Sequence, residues 1–189
     1  MFVGWDSFYS MVGQAAATLI GLMFVIVTLG PALGGKVRAE ASGSAVPLFV
    51  TPTLVHFGAI LFIAVVALVP QGSDVAVLLC LLACGLAGLA YVVIIGVKIS
   101  TRVSLMDRSD YSARAAYVPV PAIAYLLIVI SSVVTLTGRP FPALAVGAAV
   151  AILLAVGIRN AWGMALFVAR RAVEVREASQ DDRTQIKNV

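Results

Sequence analysis

Along the chain, long runs of apolar residues alternate with short segments that hold most of the charges. Five apolar runs stand out, at about residues 8 to 30, 47 to 69, 75 to 97, 118 to 137 and 141 to 168. Each is near the ~20 residues that a helix needs to cross ~30 Å of hydrocarbon. None shows the period-two alternation of a barrel strand, and in lipid only a helix satisfies its own backbone groups without closing a barrel. The pattern predicts an all-α integral membrane protein with five transmembrane helices in one domain, residues 1–169, followed by a polar tail, residues 170–189.

Small residues recur within these runs. Gly13, Ala17 and Gly21 in the first, Cys80, Cys84 and Gly88 in the third, and Ala143, Gly147, Ala151 and Ala155 in the fifth are four residues apart. This small-xxx-small spacing lets two helix backbones approach closely, so each stripe is expected to be a packing face, within the chain or toward a neighbouring subunit. Pro52, inside the second run, has no N–H to donate and is expected to soften that helix one turn before His56.

Composition agrees with the pattern. Of the 189 residues 61% are hydrophobic and 12% charged, and the mean hydropathy of +1.06 is far above that of a soluble domain. The net charge of +4 does not imply nucleic acid, because the basic residues stand at the ends of apolar runs and form no patch with interleaved aromatics. The connection 31–46 carries two (Lys36, Arg38), 98–117 carries four (Lys98, Arg102, Arg108, Arg114) and the tail five (Arg170, Arg171, Arg176, Arg183, Lys187), eleven in all on one side. The opposite side has Arg139 with Asp6 and Asp74. The positive-inside rule then places the N-terminus outside and the C-terminus in the cytoplasm. MFVGWDSF lacks a basic n-region, so the first run is expected to be retained rather than cleaved as a signal.

Segment 98–117 reads either as a stretch along the headgroups or as a turn followed by a helical turn from Ser109, and Gly34 and Gly35 as a turn. Trp5, Phe8 and Tyr9 read as an outer aromatic belt, and QDDRTQ in the tail as a fraying end.

Polar side chains inside a membrane are costly and therefore the candidates for function. They include Gln14 and Thr18 in the first run, Thr53 and His56 in the second, Ser131 and Ser132 in the fourth, and Arg159 and Asn160 in the fifth. His56, the only histidine, lies about nine residues into its run, ~14 Å at 1.5 Å per residue. It reads either as a neutral group hydrogen-bonded to a neighbouring helix, to Gln14 or a backbone carbonyl, or as a pore-lining or proton-sensing group. Arg159 either snorkels to the interface beside Trp162 or, if the helix runs straight to Arg170, sits deeper and attracts anions.

No aspartate or glutamate falls within any run, which argues against a coupled pump. One histidine allows no HExxH pair, histidine-rich metal cluster or bis-histidine haem, so neither a metal nor another cofactor is expected, and no catalytic residue is assigned. Cys80 and Cys84 read as membrane-buried thiols.

The opening WDSFYSMVGQAAATLIGLMFVIVTL and the later TPTLVHFGAILF resemble a group of small bacterial multi-spanning inner-membrane proteins without an assigned activity. The resemblance covers the first two runs, about a third of the chain. It implies a multi-pass protein of a bacterial inner membrane and carries over no catalytic residue. The expected partners are the lipid bilayer and further copies of the chain, or a larger membrane complex. Two functions follow: a homo-oligomeric, non-enzymatic channel passing small ions through a symmetry axis, or an accessory or scaffold subunit.

Overall fold

The computed structural model describes residues 1–29, 46–70, 73–103 and 118–187. It is all-helical in these segments, with α1 (Asp6–Leu29), α2 (Val46–Leu68), α3 (Asp74–Val103), α4 (Pro119–Leu136) and α5 (Ala143–Lys187). The expectations for 31–45 and for 104–117, including the Gly34–Gly35 turn and the headgroup segment, lie outside the described residues.

Local chemistry sets the helix ends. Gly4 takes the left-handed conformation at φ 81°, and α1 begins two residues later on Asp6, whose carboxylate stands at the positive end of the helix dipole. Asp74 does the same for α3. Pro119 opens α4, where a missing N–H costs nothing. Gly138 at φ 87° ends it: its N–H reaches the Thr135 carbonyl at 2.9 Å while the Arg139 N–H turns back to Val134 at 3.4 Å, the paired bonds of a Schellman cap. Pro140 and Pro142 then separate α4 from α5.

Four helices carry stretches long and apolar enough to cross a membrane: Asp6–Ile26, Asp74–Lys98, Pro119–Leu136 and Ala143–Gly163. In α2, 23 residues long, the apolar stretch Pro52–Leu68 is shorter. Two helices outrun the sequence expectation. α3 continues to Val103, and α5 passes through the QDDRTQ segment expected to fray, because no glycine or proline interrupts 164–187 and Ala, Glu, Arg and Gln favour helix.

Packing follows chain order. α1 lies mainly on α2 and α3 mainly on α4, while α5 touches α4, α2 and α1, and α2 also meets α3. The helices therefore form a ring closed by α5 against α1, with α2 and α5 meeting across its middle. Phe57, Ile60, Ile63 and Ala64 of α2 and Val146, Ala149, Val150 and Leu153 of α5 fill that centre, at helical spacing on one face of each.

The small residues of the sequence divide between core and surface. Gly13 faces inward, where a methyl group would stand 2.9 Å from the Ala64 Cβ, but Ala17 and Gly21 face outward. Gly147 is buried under the Trp5 ring and Gly88 under the Tyr125 ring, whereas Ala151 and Ala155 are exposed and Cys80 and Cys84 half-buried. A four-residue row advances about 40° around the helix per step, so no such stripe stays on one face for long.

The outer aromatics pack rather than form a belt. Tyr9 is fully buried, and Phe2 meets both Tyr9 and Phe141 edge to face at centroid distances of 4.9 Å. Trp5 and Phe8 add edge-to-face contacts, with Trp5 to Phe8 at 5.4 Å and Phe8 to Tyr9 at 5.1 Å. Phe2 and Phe141 come from outside the helices, which is why the helix pattern alone did not reveal this cluster.

Candidate functional site

Two polar regions emerge, one inside the bundle and one on its surface. The inner one is built on α2 and α4. His56 (2% exposed) and Tyr125 (0% exposed) hydrogen-bond through Nδ1 and the phenolic oxygen at 3.0 Å, linking residues 69 apart in sequence. A single proton serves the contact: the phenol donates to Nδ1 or Nδ1–H donates to the phenol oxygen, according to tautomer. Gly88 of α3 makes room for the Tyr125 ring, since any Cβ there would overlap it. The buried Tyr91 hydroxyl of α3 has no hydrogen-bond partner among the described residues.

The partner of the His56 Nδ1 is therefore the Tyr125 hydroxyl and not Gln14, which is exposed on α1. Tyr125 was missed because tyrosine is also a common core and interfacial residue. The available signal was an interior tyrosine on α4 opposite a small residue on α3, legible only once the helix pairing is known.

The remaining inner candidates are neutral. Thr53, one turn before His56, is buried and engaged in an interaction of its own. Ser131 and Ser132 are buried on α4; the Ser132 hydroxyl donates to the Ile128 carbonyl at 2.9 Å, and Thr135 donates to the Ser131 carbonyl at 2.8 Å. Asn160 is buried on α5. Such local bonds satisfy hydroxyls within their own helix. Among the described residues no three His, Cys, Asp or Glu side chains converge to hold a metal ion. The inner region can fasten helices together by hydrogen bonds between neutral groups.

The outer region is a polar stripe on α1. Ser7, Gln14, Ala17, Thr18, Gly21, Val25 and Thr28 are exposed and Ser10 half-exposed. At 3.6 residues per turn they occupy about 100° of arc, and Val25 is the one large apolar residue among them. Apart from Asp6 and Tyr9, every polar side chain of α1 lies here.

Hydrogen bonds hold the stripe in place. Gln14 Nε2 donates to Ser10 Oγ at 3.0 Å, Thr18 Oγ1 to the Gln14 carbonyl at 2.9 Å, and Thr28 Oγ1 to the Val25 carbonyl at 3.0 Å. The Gln14 amide has two N–H groups and an accepting oxygen, so the bond to Ser10 leaves one donor and the acceptor for another molecule.

Arg159 also faces outward, near the end of the apolar stretch of α5 and beside the exposed Trp162. The eight candidates thus separate into an inner set (Thr53, His56, Ser131, Ser132, Asn160) and an outer set (Gln14, Thr18, Arg159). No family model matches the chain, and neither does any curated protein or solved structure.

Proposed function

We propose that this protein is a pore-forming, multi-pass protein of a bacterial inner membrane, whose copies assemble around an axis lined by α1 and pass small ions along it. The observation that carries this reading is the outward polar stripe of α1. A membrane-length helix that turns its amide and hydroxyl side chains away from its own bundle has a face suited to water or to another polar helix. The inner set supports the same division of labour: it is enclosed within one chain and made of neutral groups, which suits a rigid wall around the axis rather than the conduit itself.

In this reading all five helices cross the membrane, with the N-terminus outside. The 23 residues of α2 extend about 34 Å at 1.5 Å per residue, enough to span, and the eleven basic residues then share the cytoplasmic side. The protein acts as a conduit, not an enzyme.

Ion flux in proteoliposomes tests the reading. Single cysteines at Gln14, Thr18 and Thr28, in a background lacking Cys80 and Cys84, are expected to make flux sensitive to a water-soluble thiol reagent. Cysteines on the opposite face at Val12, Ala16 and Met23 are not. Absence of flux across a range of pH and voltage overturns it. The second reading, an accessory or scaffold subunit, is favoured by Ala17 and Gly21 within the same stripe, which allow close approach of a foreign helix. A stoichiometric partner recovered in mild detergent, with no self-assembly, would establish that reading instead.

A further inference from the structure

The α1 stripe has an electrostatic asymmetry that bears on which ions pass. Asp6 is the one charged residue of α1; it is exposed and lies in the first turn, about 80° around the helix from Gln14, at the border of the stripe. Neither exposed arginine of the apolar part belongs to α1: Arg139 lies in the α4–α5 turn, and Arg159 lies about 24 Å along α5 from its first residue, at 1.5 Å per residue. The other described outer acid, Asp74, begins α3 and stands 3.9 Å from the Met1 ammonium, which offsets its charge, whereas no cation pairs with Asp6 among the described residues.

Resting on the pore reading above, we infer that the ions passed are cations, gathered at the outer mouth by a ring formed from the Asp6 carboxylate of each copy. Symmetry repeats one acid per copy around a shared opening, and a ring of carboxylates is a recurrent means of admitting cations. The positive end of the α1 dipole, about half a charge, offsets only part of each carboxylate. The eleven basic residues that the pore reading puts on the cytoplasmic side oppose cations at the inner mouth, so the preference rests on the outer ring alone. Between the mouths, the hydroxyls of Ser7, Ser10, Thr18 and Thr28 and the Gln14 amide oxygen offer a cation neutral acceptors in place of water.

The selectivity should also depend on salt. A ring at a mouth acts through the local counter-ion concentration, which it raises on the order of tenfold when screening is weak. The Debye length falls from about 30 Å at 0.01 M to about 3 Å at 1 M, so the ring loses its reach as salt rises.

Reversal potentials of the full chain in planar bilayers, under potassium chloride gradients at low and high salt, test the inference. The expected result is a potassium-over-chloride preference on the order of tenfold at about 0.01 M, shrinking toward unity near 1 M. Asp6→Asn should remove most of the preference and Asp6→Lys invert it, while Asp74→Asn leaves it in place. Because Asp6 is exposed and asparagine is well tolerated at a helix start, Asp6→Asn keeps the test valid should Asp6→Lys assemble poorly. An anion preference in the unmodified chain, selectivity indifferent to Asp6, or an anion current abolished by Arg159→Gln overturns the inference and leaves the pore standing. A chain that conducts no ion in any salt overturns the pore and the inference together.

Discussion

The outward faces of α1 and α4 differ sharply, although both helices are long and apolar enough to cross a membrane. Outward from α4 stand Ile123, Leu126, Ile130, Val133 and Leu136, an unbroken aliphatic surface of the kind acyl chains solvate. Outward from α1 stand Ser7, Gln14, Ala17, Thr18, Gly21 and Thr28 with Val25 in one stripe, and the apolar Met11, Leu22 and Phe24 are exposed on either side of it. Total hydropathy says that each helix belongs in a bilayer. The angular placement of polar groups says what each one meets there.

The largest effect is expected away from both faces, at the bond that joins α4 to α2, the helix on which α1 mainly packs. Tyr125→Ala empties the space above Gly88 and strips His56 of its partner, which should cost about 4 kcal/mol, as other buried aromatic truncations do, read as loss of folded protein in denaturant titrations in detergent. If Tyr125→Ala leaves stability unchanged, the inner region is not what fastens α2 to α4.

The contrast between the faces comes next. Ile130→Lys puts a charge on the aliphatic face of α4 and should cost about 3 kcal/mol, whereas Thr18→Lys, which on the proposed pore reading faces a hydrated axis, should then cost less than half as much. Equal penalties in bilayer-reconstituted protein would mean that both faces meet lipid. A smaller change, Tyr125→Phe, removes one interhelical hydrogen bond and should cost about 0.6 kcal/mol, the average for such bonds in a membrane protein.

The smallest change in monomer stability is expected from Gln14→Leu, within about 0.5 kcal/mol because the side chain is exposed. Its effect should appear in assembly instead. Energy transfer between labelled copies, followed on dilution into excess lipid, should report a weaker oligomer, and flux should fall with it. Undiminished association would move the contact between copies away from the α1 stripe.

Much of the architecture was legible in the sequence because apolar run length is a strong signal in a chain this hydrophobic. All five helices begin and end near the apolar runs except where α3 and α5 continue into charged sequence. The packing faces were less legible. The row Gly13, Ala17, Gly21 looks continuous in sequence, but its slow rotation carries it from the α2 contact at Gly13 to the exterior at Gly21. Among the candidates, that His56 needs a partner could be argued from its depth alone. That the partner is Tyr125 could not, because their meeting depends on how α2 and α4 lie within the bundle. The surface position of Gln14 was hidden for the same reason, since exposure is a property of the packed bundle.

The length of α5 carries a mechanical consequence. Of its 45 residues, Ala143–Gly163 accounts for 21, so 24 continue beyond the apolar stretch as unbroken helix, about 36 Å at 1.5 Å per residue. A rod of that length works as a lever arm: rocking its membrane-embedded part by about 10° sweeps the far tip through about 6 Å. Since that embedded part packs against α1, α2 and α4, small rearrangements within the bilayer are magnified at Lys187.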